Sequence, residues 1–137
     1  MLTIDTNTMM ISVTRGDYVS IVFSAKDAEE TTWHPSADDV LTFAVGKKYG
    51  AEPVISKSNT YDGEDETSFW TIEIKDEDWY KKDSDGNVVY VDGEPSLIDF
   101  GSYVWDLQLT TSSGKVTIIG KSDDYSPKFK VWGDVAE

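Results

Sequence analysis

Apolar and polar residues alternate with a period of two along most of this chain, and that alternation limits what the chain can fold into. Successive side chains of a β-strand point to opposite faces of the sheet, so such alternation is typical of strands with one buried face. No segment sustains the 3.6-residue period of an amphipathic helix. The sequence therefore predicts an all-β fold, and its 137 residues are enough for a single domain that spans residues 1–137.

Frequent turn residues divide this pattern into short strands. Strands are predicted at residues 11–13, 18–24, 41–45, 69–74, 103–110, 115–120 and 128–132. An edge strand is predicted at 53–57, where proline is tolerated, and a small hairpin arm around the turn at 83–86. This arrangement favours two packed antiparallel sheets. In the strand at 69–74 the alternation points Phe69 outward. The predicted core residues are Val19, Ile21, Phe23, Leu41, Phe43, Val45, Trp70, Ile72, Tyr103, Trp105, Leu107 and Phe129.

The segment that begins with Asp99, Gly101 and Tyr103 has a recognisable form. This Asp-x-Gly-x-Tyr spacing at the start of a long strand resembles the tyrosine corner of immunoglobulin-like sandwiches, whose hydroxyl bonds back to the preceding backbone. Trp105 follows two residues later as a second structural ring; the simpler alternative is that both rings are ordinary core aromatics. The resemblance implies an immunoglobulin-like antiparallel β-sandwich without the cysteine pair. Insertions at residues 27–38 and 79–96 are where recognition is expected, because loops on a rigid sandwich usually carry it.

Charge and composition exclude several classes of protein. The formal net charge of −14 disfavours nucleic acid and anionic membranes, which bind through clustered basic groups. The absence of cysteine removes disulfides, thiolate zinc sites and thiol nucleophiles. The N-terminal residues lack the basic start and apolar run of a signal peptide, and no later segment has the roughly 20 apolar residues of a membrane helix. A soluble chain is expected.

The sequence holds few candidates for catalysis or metal binding. The single histidine, His34, lies beside a proline in a polar loop, and no Gly-x-Ser-x-Gly motif is present. Asp83 and Asp85 precede Gly86 as in part of a calcium loop, but Lys81 occupies the first ligand position, so a polar turn is the better interpretation. No enzymatic activity, metal or cofactor is therefore predicted.

Arg15, Gly16 and Asp17 spell an integrin-recognition sequence. Glycine between two polar residues that join two strands is also what a tight turn requires. The sequence therefore predicts a turn at this position.

Five segments together resemble a known family: YVSIVFSAKD, DDVLTFAVGKKYG, FWTIEIKDEDW, FGSYVWDLQLTTSSGKVTIIG and KFKVWGDV. They are similar to small β-sandwich virion proteins of tailed phages and prophages of Gram-positive bacteria, such as the N-terminal modules of baseplate upper proteins. The resemblance implies a structural module that docks on other virion proteins or on copies of itself, with no active-site residues to carry over. It also implies a location in the virion, or in the host cytoplasm before assembly.

Two functions remain open at this point. The first is the assembly module, with aromatic residues of the long loops as contact anchors. The second is a carbohydrate- or ligand-binding sandwich, in which the same rings stack on sugars. A concave cluster of exposed aromatic residues with carboxylates favours the sugar, and scattered aromatic residues favour assembly. The loop aromatics that serve either hypothesis are Trp33, Trp79, Tyr80 and Tyr90.

Overall fold

The computed structural model describes residues 2–24, 34–121 and 126–133. Most of these residues are in strands, which confirms the all-β prediction. The strands are β1 Leu2–Asp5, β2 Met10–Thr14, β3 Val19–Val22, β4 Val40–Gly46, β5 Ile55–Thr60, β6 Thr71–Ile74, β7 Tyr90–Val91, β8 Glu94–Pro95, β9 Gly101–Thr111, β10 Gly114–Ile119 and β11 Lys128–Trp132. A one-turn helix α1, Glu66–Phe69, precedes β6, and a 3₁₀ turn, Asp76–Trp79, follows it.

The strands form one large and two small sheets. The large sheet has the order β1-β2-β11-β9-β4-β5, and β10 pairs with β9 beside this path. β3 pairs with β6, and β7 pairs with β8 in the arm. Neighbours are antiparallel except β2 and β11, which run parallel, so the prediction of purely antiparallel sheets is wrong for that pair. Side-chain alternation is the same in both directions, so it does not report which way two strands run.

The inward faces of the large sheet and of the β3–β6 sheet enclose one core, in a sandwich-like arrangement. Eleven of the twelve predicted core residues are buried, and the twelfth, Phe23, is partly buried and packs against the same cluster. The centre is aromatic: the Trp105 ring centroid lies 5.4 Å from that of Phe43 and 6.0 Å from that of Phe23. The Trp105 indole N–H donates to the Met9 carbonyl oxygen at 2.9 Å, so this buried nitrogen is satisfied.

Helix α1 corrects the prediction for residues 69–74. The Asp65 carboxylate accepts hydrogen bonds from the backbone N–H groups of Thr67 and Ser68, which is an N-terminal cap. The chain therefore turns through one helical turn before β6 begins at Thr71. This turn carries Phe69 into the core, 2% exposed, where the strand pattern points it outward.

Candidate functional site

The predicted loop aromatics that the structure describes differ in how far they are exposed. Trp33 lies outside the described residues. Trp79 is fully buried: its ring centroid is 6.4 Å from that of Phe129, and its indole N–H donates to the Asp17 carbonyl oxygen at 2.8 Å. The prediction that Trp79 is an exposed contact anchor is therefore wrong, because the 3₁₀ turn folds its ring into the core.

The arm carries the other two loop aromatics. Tyr80 is half-buried at its base, where it bridges to Leu97. Tyr90 is 64% exposed on β7, beside the exposed Val91. Of the predicted loop aromatics that the structure describes, Tyr90 is thus the one that offers a freely accessible ring.

Two short motifs are turns, as predicted. The Asp83 carboxylate accepts backbone N–H groups of Asp85 and Asn87 at 2.9 and 3.0 Å, which closes the arm's polar turn. Between β2 and β3, the Asp17 N–H donates to the Thr14 carbonyl oxygen at 3.2 Å. Gly16 has a φ of +91° there, a conformation that glycine adopts without strain.

A hydrogen bond ties the Tyr103 side chain to the segment that contains Asp99. The Tyr103 hydroxyl donates to the Asp99 carbonyl oxygen at 2.7 Å, and burial raises the pKa of that hydroxyl. Gly101 has a φ of +137°, which explains a glycine at the first residue of β9. Tyr103 and Trp105 are both buried, so their rings hold the sheets together and are not available to a ligand.

A second set of aromatic side chains is exposed where β2 and β11 end and β9 begins. Phe100 is 54% exposed and Trp132 is 48% exposed. The Arg15 guanidinium carbon lies 3.8 Å from the centroid of the Phe100 ring, and the Lys130 Nζ lies 4.0 Å from the centroid of the Trp132 ring. We call these four residues the cation–aromatic patch. A cation over a ring face is an attractive contact.

Hydrogen bonds of Arg15 and close packing of Phe100 connect the chain segments around the patch. Arg15 donates from its backbone N–H to the Trp132 carbonyl oxygen at 2.9 Å and from Nη1 to the Ile98 carbonyl oxygen at 3.0 Å. Phe100 lies so close to Gly133 that a Cβ at this glycine would approach the ring to 3.1 Å. Arg15 is the only arginine in the sequence, and its guanidinium links the end of β2 to the segment that precedes β9.

Part of this patch could be found from the sequence. In the predicted strand at 128–132 Phe129 points inward, so Lys130 and Trp132 must point outward together, as they do. Arg15 and Phe100 join them only because β2, β9 and β11 are neighbours in the sheet.

The loop between β4 and β5 forms a shallow groove on the outer face of the large sheet. Its volume is about 320 Å³, and its lining includes Tyr49, Val104, Asp106 and Gln108. The Tyr49 hydroxyl lies 3.1 Å from the carbonyl oxygens of both Trp105 and Pro127, and burial raises its pKa. The Tyr49 hydroxyl therefore reaches the backbone of β9, and the buried Val104 lines the same groove.

These features define the class of the protein: an all-β, sandwich-like domain with an ordered cation–aromatic patch on its surface. Comparison with models of known protein families, with curated proteins and with solved structures finds no match. In the parts of the chain that the structure describes, no helix has the length and apolar character needed to cross a membrane.

Proposed function

We propose that this chain is a non-enzymatic structural module that acts by docking on other proteins. The observation that carries the proposal is the distribution of its exposed aromatic side chains. Within the described residues these are Tyr18, Tyr90, Phe100 and Trp132. They belong to three different parts of the fold: Tyr18 directly precedes β3, Tyr90 is on β7, and Phe100 and Trp132 are in the cation–aromatic patch. Such scatter suits several protein contacts better than one small-molecule site.

The strand edges support the same proposal. Leu2 and Ile4 pair in register with the buried Val13 and Ile11, so they lie on the core side of the sheet, yet they are 37% and 42% exposed. On the edge strand β10, Val116 is 59% exposed. Exposed apolar residues on open strand edges are suited to contact with another chain.

The proposed setting is the tail or baseplate of a phage or prophage particle, which rests on the resemblance in strand pattern. The hydrogen bond from Tyr103 to the Asp99 carbonyl oxygen supports an immunoglobulin-like sandwich with a tyrosine corner, because that motif ties its hydroxyl to backbone a few residues upstream. A module of this type needs stable surfaces rather than reactive groups, and repeated copies let modest interfaces hold a particle together.

Carbohydrate binding is the second candidate, and the outer groove is the observation that favours it. The groove places the Tyr49 ring near the Asp106 carboxylate and the Gln108 amide, which hydrogen-bond to each other at 3.1 Å. An aromatic face with neighbouring polar groups is a suitable surface for a sugar ring. This site differs from the predicted loop platform, since Trp79 is buried.

One experiment compares the two candidates. The purified chain is immobilised, exposed to an extract of its source cells after prophage induction, and the captured proteins are identified by mass spectrometry. The same protein is applied to a glycan array. Variants Trp132→Ala and Tyr49→Ala separate the patch from the groove.

Capture of particle structural proteins that is reduced in Trp132→Ala and retained in Tyr49→Ala supports the assembly module. Saturable glycan binding that is lost in Tyr49→Ala, with no particle protein captured, contradicts the assembly module and supports the sugar-binding candidate.

A further inference from the structure

The cation–aromatic patch and an acidic turn lie at opposite ends of the longest strand. Gly101, at the start of β9, pairs with Val131, next to Trp132. Near the other end of β9, Thr110 pairs with Val40, and Val40 pairs with Thr60 at the end of β5. The nine residue steps from Gly101 to Thr110 span about 30 Å, at about 3.3 Å per residue.

The acidic turn follows directly after β5 and consists of Asp62, Glu64 and Asp65. The Asp62 carboxylate accepts the backbone N–H groups of Glu64 and Asp65 at 2.8 and 2.9 Å. The Asp65 carboxylate accepts the Ser68 hydroxyl at 2.7 Å and the Thr67 N–H at 2.9 Å. Hydrogen bonds from these backbone and hydroxyl groups lower the pKa of both aspartates. The turn is therefore exposed and negatively charged, and its own hydrogen bonds define its backbone.

The patch and the acidic turn are complementary in charge. The patch supplies Arg15 and Lys130, and Lys128 projects from the same face of β11. Each cation of the patch lies over an aromatic ring, so a carboxylate that approaches meets positive charge next to an aromatic surface. The exposed parts of Phe100 and Trp132 add apolar area that a partner can cover. A protein with a net charge of −14 repels copies of itself in most orientations, and an orientation that brings the positive groups of the patch against a negative surface reduces that repulsion.

We propose that the cation–aromatic patch of one copy docks on the acidic turn of a second copy. This inference rests on the proposed function as a docking module and names its partner and its two contact surfaces. Because the surfaces differ and lie about 30 Å apart, the contact is head-to-tail and leaves a free patch at one end and a free acidic turn at the other. Successive copies then form a ring or a filament, according to the rotation between neighbours.

The test is sedimentation velocity on the full chain across a concentration series. The wild type associates in a concentration-dependent way, and association weakens when salt is raised from about 0.05 M to about 0.5 M. Lys130→Glu and Glu64→Lys each weaken the association constant by at least about tenfold, because each places like charges in contact. Both positions are on the surface, and circular dichroism checks that each variant is folded.

Mixing the two variants provides the decisive measurement. Lys130→Glu keeps an intact acidic turn and Glu64→Lys keeps an intact patch, so an equimolar mixture restores a wild-type contact and associates more strongly than either variant alone. Lys47→Glu is the matched control, since it makes the same change of charge on the exposed loop after β4 and leaves association within about twofold of the wild type.

Three results would overturn the inference: a wild type that stays monomeric at every concentration, a mixture that fails to associate, or a Lys47→Glu variant as weak as Lys130→Glu. A monomeric chain that still captures particle proteins overturns the head-to-tail contact and leaves the proposed function standing. Glycan binding with neither self-association nor a captured protein contradicts both.

Discussion

Replacement of Trp105 by alanine tests how the core is organised. The side chain is 2% exposed, lies against the rings of Phe43 and Phe23, and donates its indole N–H to the Met9 carbonyl oxygen. It therefore supports both sheets and the turn between β1 and β2. Truncation of a buried aromatic side chain to alanine costs about 3–5 kcal/mol, because a cavity remains where the ring was. A domain has about 5–15 kcal/mol in total, so we expect Trp105→Ala to lose a large fraction of its stability.

Urea denaturation followed by far-ultraviolet circular dichroism measures this loss without depending on tryptophan fluorescence. Trp132→Ala is the matched control, because it removes the same side chain from the surface; it should cost less than about 1 kcal/mol. Trp105→Phe keeps a ring and loses the indole hydrogen bond, so its cost should fall between those of the two alanine variants. A loss below about 1 kcal/mol for Trp105→Ala, or equal losses for the two alanine variants, would refute the reasoning.

Three further predictions follow from individual hydrogen bonds. Tyr103→Phe leaves the Asp99 carbonyl oxygen without its partner and should lower the free energy of unfolding by about 1–3 kcal/mol in the same denaturation assay; an unchanged midpoint would argue against a tyrosine corner. Asn59→Ala removes an amide that donates to the carbonyl oxygens of Ser68, Phe69 and Thr71, so the crossing from α1 to β6 should lose hydrogen-exchange protection, and wild-type protection there would contradict this role. Asp65→Ala should lower the denaturation midpoint at neutral pH. Since the folded-state pKa of Asp65 is depressed, its contribution is present above about pH 4 and is lost as pH falls through the folded-state value, so a midpoint difference that persists in strong acid would contradict the cap.

The inward face of each strand could be predicted from the sequence alone. Leu41, Phe43 and Val45 alternate with smaller or polar residues, and burying one face of such a strand requires all three to point the same way. The same local rule predicts Tyr103, Trp105 and Leu107 in the core, where the structure has them. In β11 the predicted inward residue is Phe129, and Lys130 and Trp132 lie on the opposite face. Alternation follows from the backbone geometry of a single strand. The inward face of a strand can therefore be predicted without knowing which strands are its neighbours.

Positions governed by caps and turns were harder to predict. Phe69 and Trp79 stand at the ends of one-turn helices, which are too short to show a helical period in the sequence. The Asp65 cap is a signal that could have revealed the first of them. The position of Trp79 depends on tertiary packing. Its ring packs against Phe129, and its indole N–H donates to the Asp17 carbonyl oxygen, 62 residues away along the chain.

The all-β class, the strand faces and the acidic character are thus properties of the sequence, because each follows from residue type and from neighbours one or two positions away. The parallel pairing of β2 with β11 and the cation–aromatic patch are decided by the tertiary structure. The patch brings together Arg15, Phe100 and Trp132, which are far apart in the chain and become neighbours only when three strands assemble in one sheet. A contact of that kind depends on the free energy of the whole packed core, and no local pattern along the chain encodes it.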